Sequence, residues 1–219
     1  MKEAFNDDVD AFMKLTPKVL FEKLLAYYGA QNWWPGEGFE IAAGAVLTQN
    51  TSWQNVELAL ENLRENDLLS PQKILDCKLD NLKKLIAPAG FFNQKALYLR
   101  NLSKFFQSNP QPTREELLSV KGIGEETADS ILLYLFNQPE FVVDAYTVRI
   151  SNRLGFGEAK AKRFWKQYYE NALEPDPRLF NEFHALLVQH AKTFCFKNNP
   201  RCSDCFLQDD CAFGKSKKG

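Results

Sequence analysis

Residues 117–149 read LLSVKGIGEETADSILLYLFNQPEFVVDAYTVR, two helical runs joined by a glycine turn and followed by an acidic residue, Asp144, at the head of a third. In VKGIG, Gly122 and Gly124 bracket Ile123, and the chain passes directly into the apolar-periodic run 125–136. Glycine at such a turn permits positive φ and lets a phosphate approach the backbone. The first turn of the following helix adds partial positive charge aimed at the same place. Lys121, Gly122, Ile123 and Gly124 thus form a candidate phosphate clamp. Asp144 follows the short β-branched stretch 141–143 and opens the next helical run, where cap geometry holds a carboxylate at a defined place. Taken alone, the turn reads equally as a plain interhelical connection and the aspartate as a plain N-cap. Together they point to chemistry on a nucleic acid. A dinucleotide fingerprint is disfavoured, because Thr127 stands where the third glycine would be and no clear strand precedes Lys121.

Outward from this stretch, helical periodicity dominates. Runs at 17–28, 39–50, 53–65, 71–78, 79–87, 93–108, 114–120, 125–136, 145–154, 159–169 and 177–194 are separated by turn or cap signals such as Ser70-Pro71, Asn109-Pro110 and Pro175-Asp176-Pro177. The one β-like stretch, 141–143, is too short to found a sheet. The expected class is all-α, with consecutive helices packed as neighbours. The tail GKSKKG reads as a frayed terminus.

The 219 residues allow one large or two small domains, and 45% hydrophobic with 25% charged residues is ordinary for a globular chain. No apolar run approaches the ~20 residues of a membrane span, and the start MKEAFNDDVD has no signal-peptide character. The expectation is a cytoplasmic protein with no membrane partner. A net charge of −1 argues against a uniformly basic surface, yet the balance runs from −6 over residues 1–67 through +1 over 68–143 to +4 over 144–219. The later part can therefore carry a basic face, and phosphate binding follows the local field.

Four of the five cysteines, Cys195, Cys202, Cys205 and Cys211, lie within seventeen residues. Without a secretory signal, such clustering reads as metal ligation before disulfides. Zinc and iron–sulfur are both compatible with the ligand type, and spacing alone does not separate them. Between the first two cysteines, Lys197 and Arg201 are cations on a short constrained loop, suited to a phosphate backbone. Cys77 reads as a small buried hydrophobe. Trp33, Trp34 and Pro35 fall in a link between helices, and Trp53 starts the run after TQNT. Core filling accounts for any one of these rings. As a set they suit stacking on an extruded base, most favourably a cationic one. Trp165 reads as core, and His184 and His190 as packing or hydrogen-bonding groups.

AVLTQNT at 45–51, AGFFNQKA at 89–96, LLSVKGIGEETA at 117–128, VVDAYTVRISNRLG at 142–155 and the cysteine quartet together resemble the helix-hairpin-helix DNA glycosylases of the endonuclease III superfamily, over residues 17–213. The resemblance implies two helical lobes flanking a cleft. One is a six-helix-barrel-like lobe over 30–141 containing the hairpin at about 114–136. The other is built from 1–29 and 142–219 and carries an iron–sulfur loop at 195–211. It further implies that Asp144 is the catalytic carboxylate, that the hairpin holds DNA phosphate with a monovalent cation on its carbonyls, and that the quartet holds a [4Fe-4S] cluster. Gln49, with Asn50 beside it, and Phe91 fall where the family fills or wedges the gap left by a flipped nucleotide, although the expected wedge is aliphatic. Glu126 stands where strand-nicking members carry a lysine that attacks the sugar.

The WWP segment, AVLTQNT followed by Trp53, and Glu126 resemble the 3-methyladenine branch. The implied protein is a monomeric, nucleoid-associated prokaryotic enzyme acting on double-stranded DNA with damaged bases. It hydrolyses the glycosidic bond of alkylated purines and has no lyase step. Two alternatives remain: an endonuclease III-like glycosylase for oxidised pyrimidines or mispaired bases, and a non-catalytic iron–sulfur DNA-binding protein.

Overall fold

The structure is a computed structural model that describes residues 15–33 and 36–218. The described residues form twelve α-helices and no strand. The helices are α1 (Pro17–Tyr28), α2 (Phe39–Leu47), α3 (Trp53–Glu65), α4 (Pro71–Asp76), α5 (Leu79–Leu85), α6 (Phe92–Ser108), α7 (Arg114–Ser119), α8 (Glu125–Tyr134), α9 (Ala145–Leu154), α10 (Lys162–Ala172), α11 (Pro177–Thr193) and α12 (Ala212–Lys215). Local chemistry accounts for their starts. Thr16, Ser70 and Asp176 each accept a backbone amide through the side chain and precede a proline at the first helical position. Thr113 and Glu116 form a reciprocal capping box at α7.

Helix α2 is buried from Ile41 to Leu47 and lies at the centre of one apolar cluster, fed by α3, α4, α5, α6, α7 and the first part of α8. A second cluster gathers α1, α9, α10 and α11 around Phe141, Trp165, Tyr169, Phe180 and Phe183. Helix α8 belongs to both, with Ile131 and Leu132 in the first cluster and Leu133 in the second. An ionic network also ties them. Arg114 of α7 donates to Asp129 of α8 at 2.7 Å, and Lys166 of α10 reaches Asp129 at 3.4 Å, Glu140 at 2.5 Å and Glu170 at 2.7 Å.

Several expected boundaries shift. The run 39–50 stops at Leu47, after which Asn50 turns to φ 54°. The run 159–169 becomes Lys162–Ala172, because the Ala159 carbonyl accepts from Asn152 Nδ2 and Trp165 Nε1 instead of starting a helix. The C-terminal ends of α4, α5, α7, α8 and α11 fall one or two residues short of the runs read from periodicity, and α6 begins one residue earlier. The extended 141–143 stretch pairs with no strand; it is buried, and Phe141 stacks on Tyr169 at 4.5 Å. The tail begins in helix α12, and the Lys218 amide donates to the Lys215 carbonyl, so its first part is ordered. Trp165 is core, with 0% exposure. Cys77 is only half-buried, at the edge of the first cluster.

Candidate active site

Asp144 caps α9, its Oδ1 accepting from the Thr147 amide at 2.7 Å and the Thr147 hydroxyl at 3.0 Å. Its other oxygen, Oδ2, faces His184 Nε2 of α11 at 3.6 Å. His184 Nδ1 in turn lies 2.5 Å from the hydroxyl of Tyr134, the last residue of α8. Burial raises the Asp144 carboxyl, but the His184 hydrogen bond and charge and the two Thr147 contacts outweigh it, so the group is held below the usual aspartate value. Burial raises the Tyr134 phenol well above its ordinary value, with Asp144 and Glu126 adding to it. The result is an anionic carboxylate that is partly buried, its side chain 14% exposed to the pocket. Periodicity places His184 on the inner face of α11 and says nothing of what lies opposite. The ring is buried and hydrogen-bonded, as the sequence reading of it as a packing or hydrogen-bonding group expects; what that reading lacks is its partners, Tyr134 and Asp144.

The hairpin shares an open pocket with Asp144, and Gln49, Asn50, Glu126 and Lys162 also line it. Gly122 has φ +100°, and an added Cβ would collide with the Tyr98 ring, so both conformation and packing demand glycine. Gly124 is extended instead, at φ −97°, with open space where a Cβ would point, so the expectation of positive φ holds at Gly122 alone. Ile123 is buried in the first core cluster and Lys121 is exposed. The carbonyls of Val120, Lys121 and Gly122 accept from the Ile123 amide, Asn101 Nδ2 and Gln49 Nε2 respectively. A cation on this turn would share those oxygens with these donors. Gln49 also donates to Thr127 Oγ1 at 3.1 Å, which fixes it across the cleft from Asp144. Phe91 caps α6 at φ 45° with 62% of its surface exposed, a strained backbone and a bare aromatic ring at one point.

Glu126, in the first turn of α8, is ion-paired with Lys162 of α10. The helix carries no amine of its own there, but a neighbouring helix supplies one. Nothing in the sequence around residue 162 signals this pairing, which depends on how α10 packs.

Trp34 and Pro35 lie outside the described residues. Trp33 stands 6.5 Å from the Trp53 ring, 6.2 Å from the His184 ring and 6.0 Å from the Lys192 ammonium. Trp53 is partly buried against the first core and donates from its indole nitrogen to Glu57 at 2.8 Å. The two rings are brought together, Trp33 beside His184, while Trp53 lines a separate pocket with Glu37, Glu40 and Glu57 and not the one that holds Asp144.

Cys195, Cys202, Cys205 and Cys211 all line one small pocket between α9, α11 and the C-terminal loop. Among the described residues no three Cys, His, Asp or Glu side chains are gathered tightly enough for a single ion; four thiolates on one zinc would stand about 3.8 Å apart. Arg153 Nη1 donates to Cys195 Sγ at 3.2 Å and the Gly214 amide to Cys211 Sγ at 3.3 Å. Burial pushes the Cys205 thiol up to about 11, and the neighbouring cysteines add to it. His190, read as packing, is buried with its Nδ1 3.1 Å from the Tyr28 hydroxyl. Lys197 and Arg201 are exposed on the loop, Arg201 over the Phe196 ring at 5.6 Å.

The family described as HhH-GPD superfamily base excision DNA repair protein matches residues 43–175. A Methanocaldococcus jannaschii protein, provisionally named a DNA repair glycosylase, is 47% identical over 207 residues, 88% of this chain and 94% of its own. Endonuclease III of Thermotoga maritima is 30% identical over 179 residues, 80% of this chain and 83% of its own. Among solved structures, the H. pylori 3-methyladenine DNA glycosylase bound to 1,N6-ethenoadenine shares 30% identity with a TM-score of 0.74, covering 81% of this chain and 98% of that one. A non-covalent endonuclease III–DNA complex superposes at 0.82 with 21% identity over 93% of this chain and 99% of that one, a likeness of fold.

Proposed function

The chain belongs to the HhH-GPD superfamily of base excision DNA repair proteins and is a DNA glycosylase; from that premise we propose that it hydrolyses the N-glycosidic bond of alkylated purines such as 3-methyladenine in double-stranded DNA, without cutting the strand. The observation that carries this reading is that Glu126, at the place of the strand-cutting lysine, lines the same pocket as Asp144. A carboxylate cannot form an imine with the sugar. The alkylated base is favoured by the Trp33 ring beside His184, an aromatic face of the kind that attracts a cation.

In the proposed mechanism the hairpin amides and Lys121 hold phosphate while Phe91 and Gln49 occupy the gap left by the extruded nucleotide. A purine made cationic by alkylation leaves with the glycosidic electron pair and needs no strong general acid. Asp144, anionic in its partly buried setting, stabilises the oxocarbenium-like sugar. It orients a water for attack at C1′ and takes the proton that water releases.

Cys195, Cys202, Cys205 and Cys211 line one pocket and so fit a [4Fe-4S] cluster, the group that their spacing suits in the family resemblance. Such a cluster would serve structurally, presenting the loop that carries Lys197 and Arg201.

A second reading, an endonuclease III-like glycosylase for oxidised pyrimidines or mispaired bases, is favoured by Lys162, whose amine reaches the site from another helix. An ammonium engaged with Glu126 has no lone pair for attack. Purified protein incubated with duplexes bearing 3-methyladenine, thymine glycol or a mismatch, with and without borohydride, separates the readings. We expect release of the methylated purine and no trapped protein–DNA adduct. An adduct, or release confined to the other two substrates, overturns the first reading. No base release from any duplex, in the wild type and Asp144→Asn alike, leaves a non-catalytic DNA-binding protein.

A further inference from the structure

His184 presents two nitrogens to two different helices, and its surroundings treat them differently. Nδ1 lies 2.5 Å from the Tyr134 hydroxyl. Nε2 is buried with no hydrogen bond of ordinary length and stands 3.6 Å from Asp144 Oδ2. The ring is 7% exposed and is flanked by Trp33 at 6.2 Å. Core packing alone would not require a polar ring whose buried nitrogen faces a carboxylate at the head of another helix.

The carboxylate decides which nitrogen carries the hydrogen. An ionised Asp144 oxygen can only accept, so the nitrogen facing it, Nε2, carries hydrogen whether the ring is charged or neutral. In the neutral ring Nδ1 is then bare and accepts from the Tyr134 hydroxyl. The Asp144 oxygens are divided accordingly: Oδ1 is committed to the Thr147 amide and hydroxyl, and Oδ2 is left to His184 and whatever enters the pocket. Hydrogen bonds of this kind tighten when substrate arrives, so 3.6 Å in the free protein suits a contact that closes on the bound sugar.

We propose that Tyr134, His184 and Asp144 form a chain in which the Tyr134 hydroxyl donates to His184 Nδ1 and His184 Nε2–H positions the Asp144 carboxylate for base release. This rests on the reading of Asp144 as the carboxylate that supports glycosidic cleavage. His184 is thus a positioning residue and touches no reacting atom. The other titratable groups lining the pocket with Asp144 are Glu125 and Glu126 on α8, Lys162 on α10 and Tyr146 on α9 itself. Glu126 is engaged with Lys162, which leaves His184 as the group that keeps Asp144 anionic from the α11 side.

The test uses the full chain and its His184→Gln, Tyr134→Phe and double variants in single-turnover base release across pH. His184→Gln is expected to lower release about ten- to hundredfold at neutral pH and to move the acid limb of the profile to higher pH. Affinity for a duplex with an abasic-site analogue is expected to stay within about twofold, since His184 makes no contact with a phosphate in this reading. Tyr134→Phe is expected to cost less, and nothing further once His184 is Gln, the coupling expected of residues acting in series. An unchanged profile in His184→Gln, or additive losses in the double variant, overturns the chain. Independently of any substrate, 15N spectra of the imidazole are expected to show hydrogen on Nε2; hydrogen on Nδ1 of the neutral ring also overturns it. Should the wild type release no base from any duplex, the glycosylase reading fails while the imidazole spectrum still decides the tautomer.

Discussion

At the residue scale, Gly122 is determined twice over. It adopts φ +100°, and the Tyr98 ring occupies the space where a Cβ would sit. Gly122→Ala is expected to destabilise the hairpin by about 1–3 kcal/mol and to weaken DNA binding with little change in the rate of base release at saturation; equal affinity for a short duplex by fluorescence anisotropy would show the turn is not the clamp. Asp144 makes the complementary case, because its position changes chemistry rather than binding. Asp144→Asn keeps an oxygen for the Thr147 cap but loses the charge, and single-turnover release is expected to fall about a hundred- to ten-thousandfold. The held-down carboxyl also carries a pH consequence. Its folded pKa lies below the unfolded one, so its contribution to stability is full at neutral pH and is lost as pH falls through the folded value. Both residues could be singled out from the sequence, since a Gly-x-Gly turn and an Asp at a helix start are local signals. His184 could not be assigned its partner, because a lone buried histidine gives the same periodicity whatever it faces.

Among the elements, helix α6 carries an unusual internal support. Lys95 is 2% exposed and its ammonium donates to the carbonyls of Leu47 and Ala89, each at 2.8 Å. It thereby closes the C-terminal end of α2, the helix that leads into Gln49 and Asn50. Burial pulls the Lys95 ammonium down to about 8 from 10.5. Between those values the unfolded chain binds a proton that the folded chain does not, so stability attributable to this group rises with pH across that window. The difference in urea midpoint between wild type and Lys95→Met is expected to shift in favour of wild type from pH 7.5 to pH 10; a pH-independent difference would mean that burial does not lower the lysine, which then stays charged inside over that range. At neutral pH the variant is expected to be less stable, because two buried carbonyls lose their donor, at about 1–3 kcal/mol each. Helix starts were legible wherever Ser, Thr or Asp precedes Pro, as at Thr16, Ser70 and Asp176. The end at Leu47 and the start displaced from Ala159 to Lys162 were not, because they depend on carbonyls captured by side chains from other turns.

For the whole molecule, α8 belongs to both clusters and lines the pocket of Asp144, and Cys195, Cys205 and Cys211, beside the cationic loop, pack against the second cluster. Lys197→Ala and Arg201→Ala are each expected to lower the slope of log affinity against log salt by about 0.9, the signature of one lost phosphate contact. A salt slope equal to wild type would remove that loop from the DNA interface. Cys202→Ser with Cys205→Ser is expected to abolish any visible iron–sulfur absorption and to flatten the same slope by loosening the loop. The sequence by itself determined the all-α class, the hairpin, the cysteine quartet and the carboxylate heading α9, since each is written in neighbouring residues whose backbone conformation or ligand spacing is local. Only the tertiary structure decided that Glu126 pairs with Lys162, that Lys95 turns inward to the end of α2, and that His184 stands between Tyr134 and Asp144. These contacts join residues 36 to 50 positions apart. They arise from how helices pack, and periodicity specifies a buried face without specifying what it is buried against.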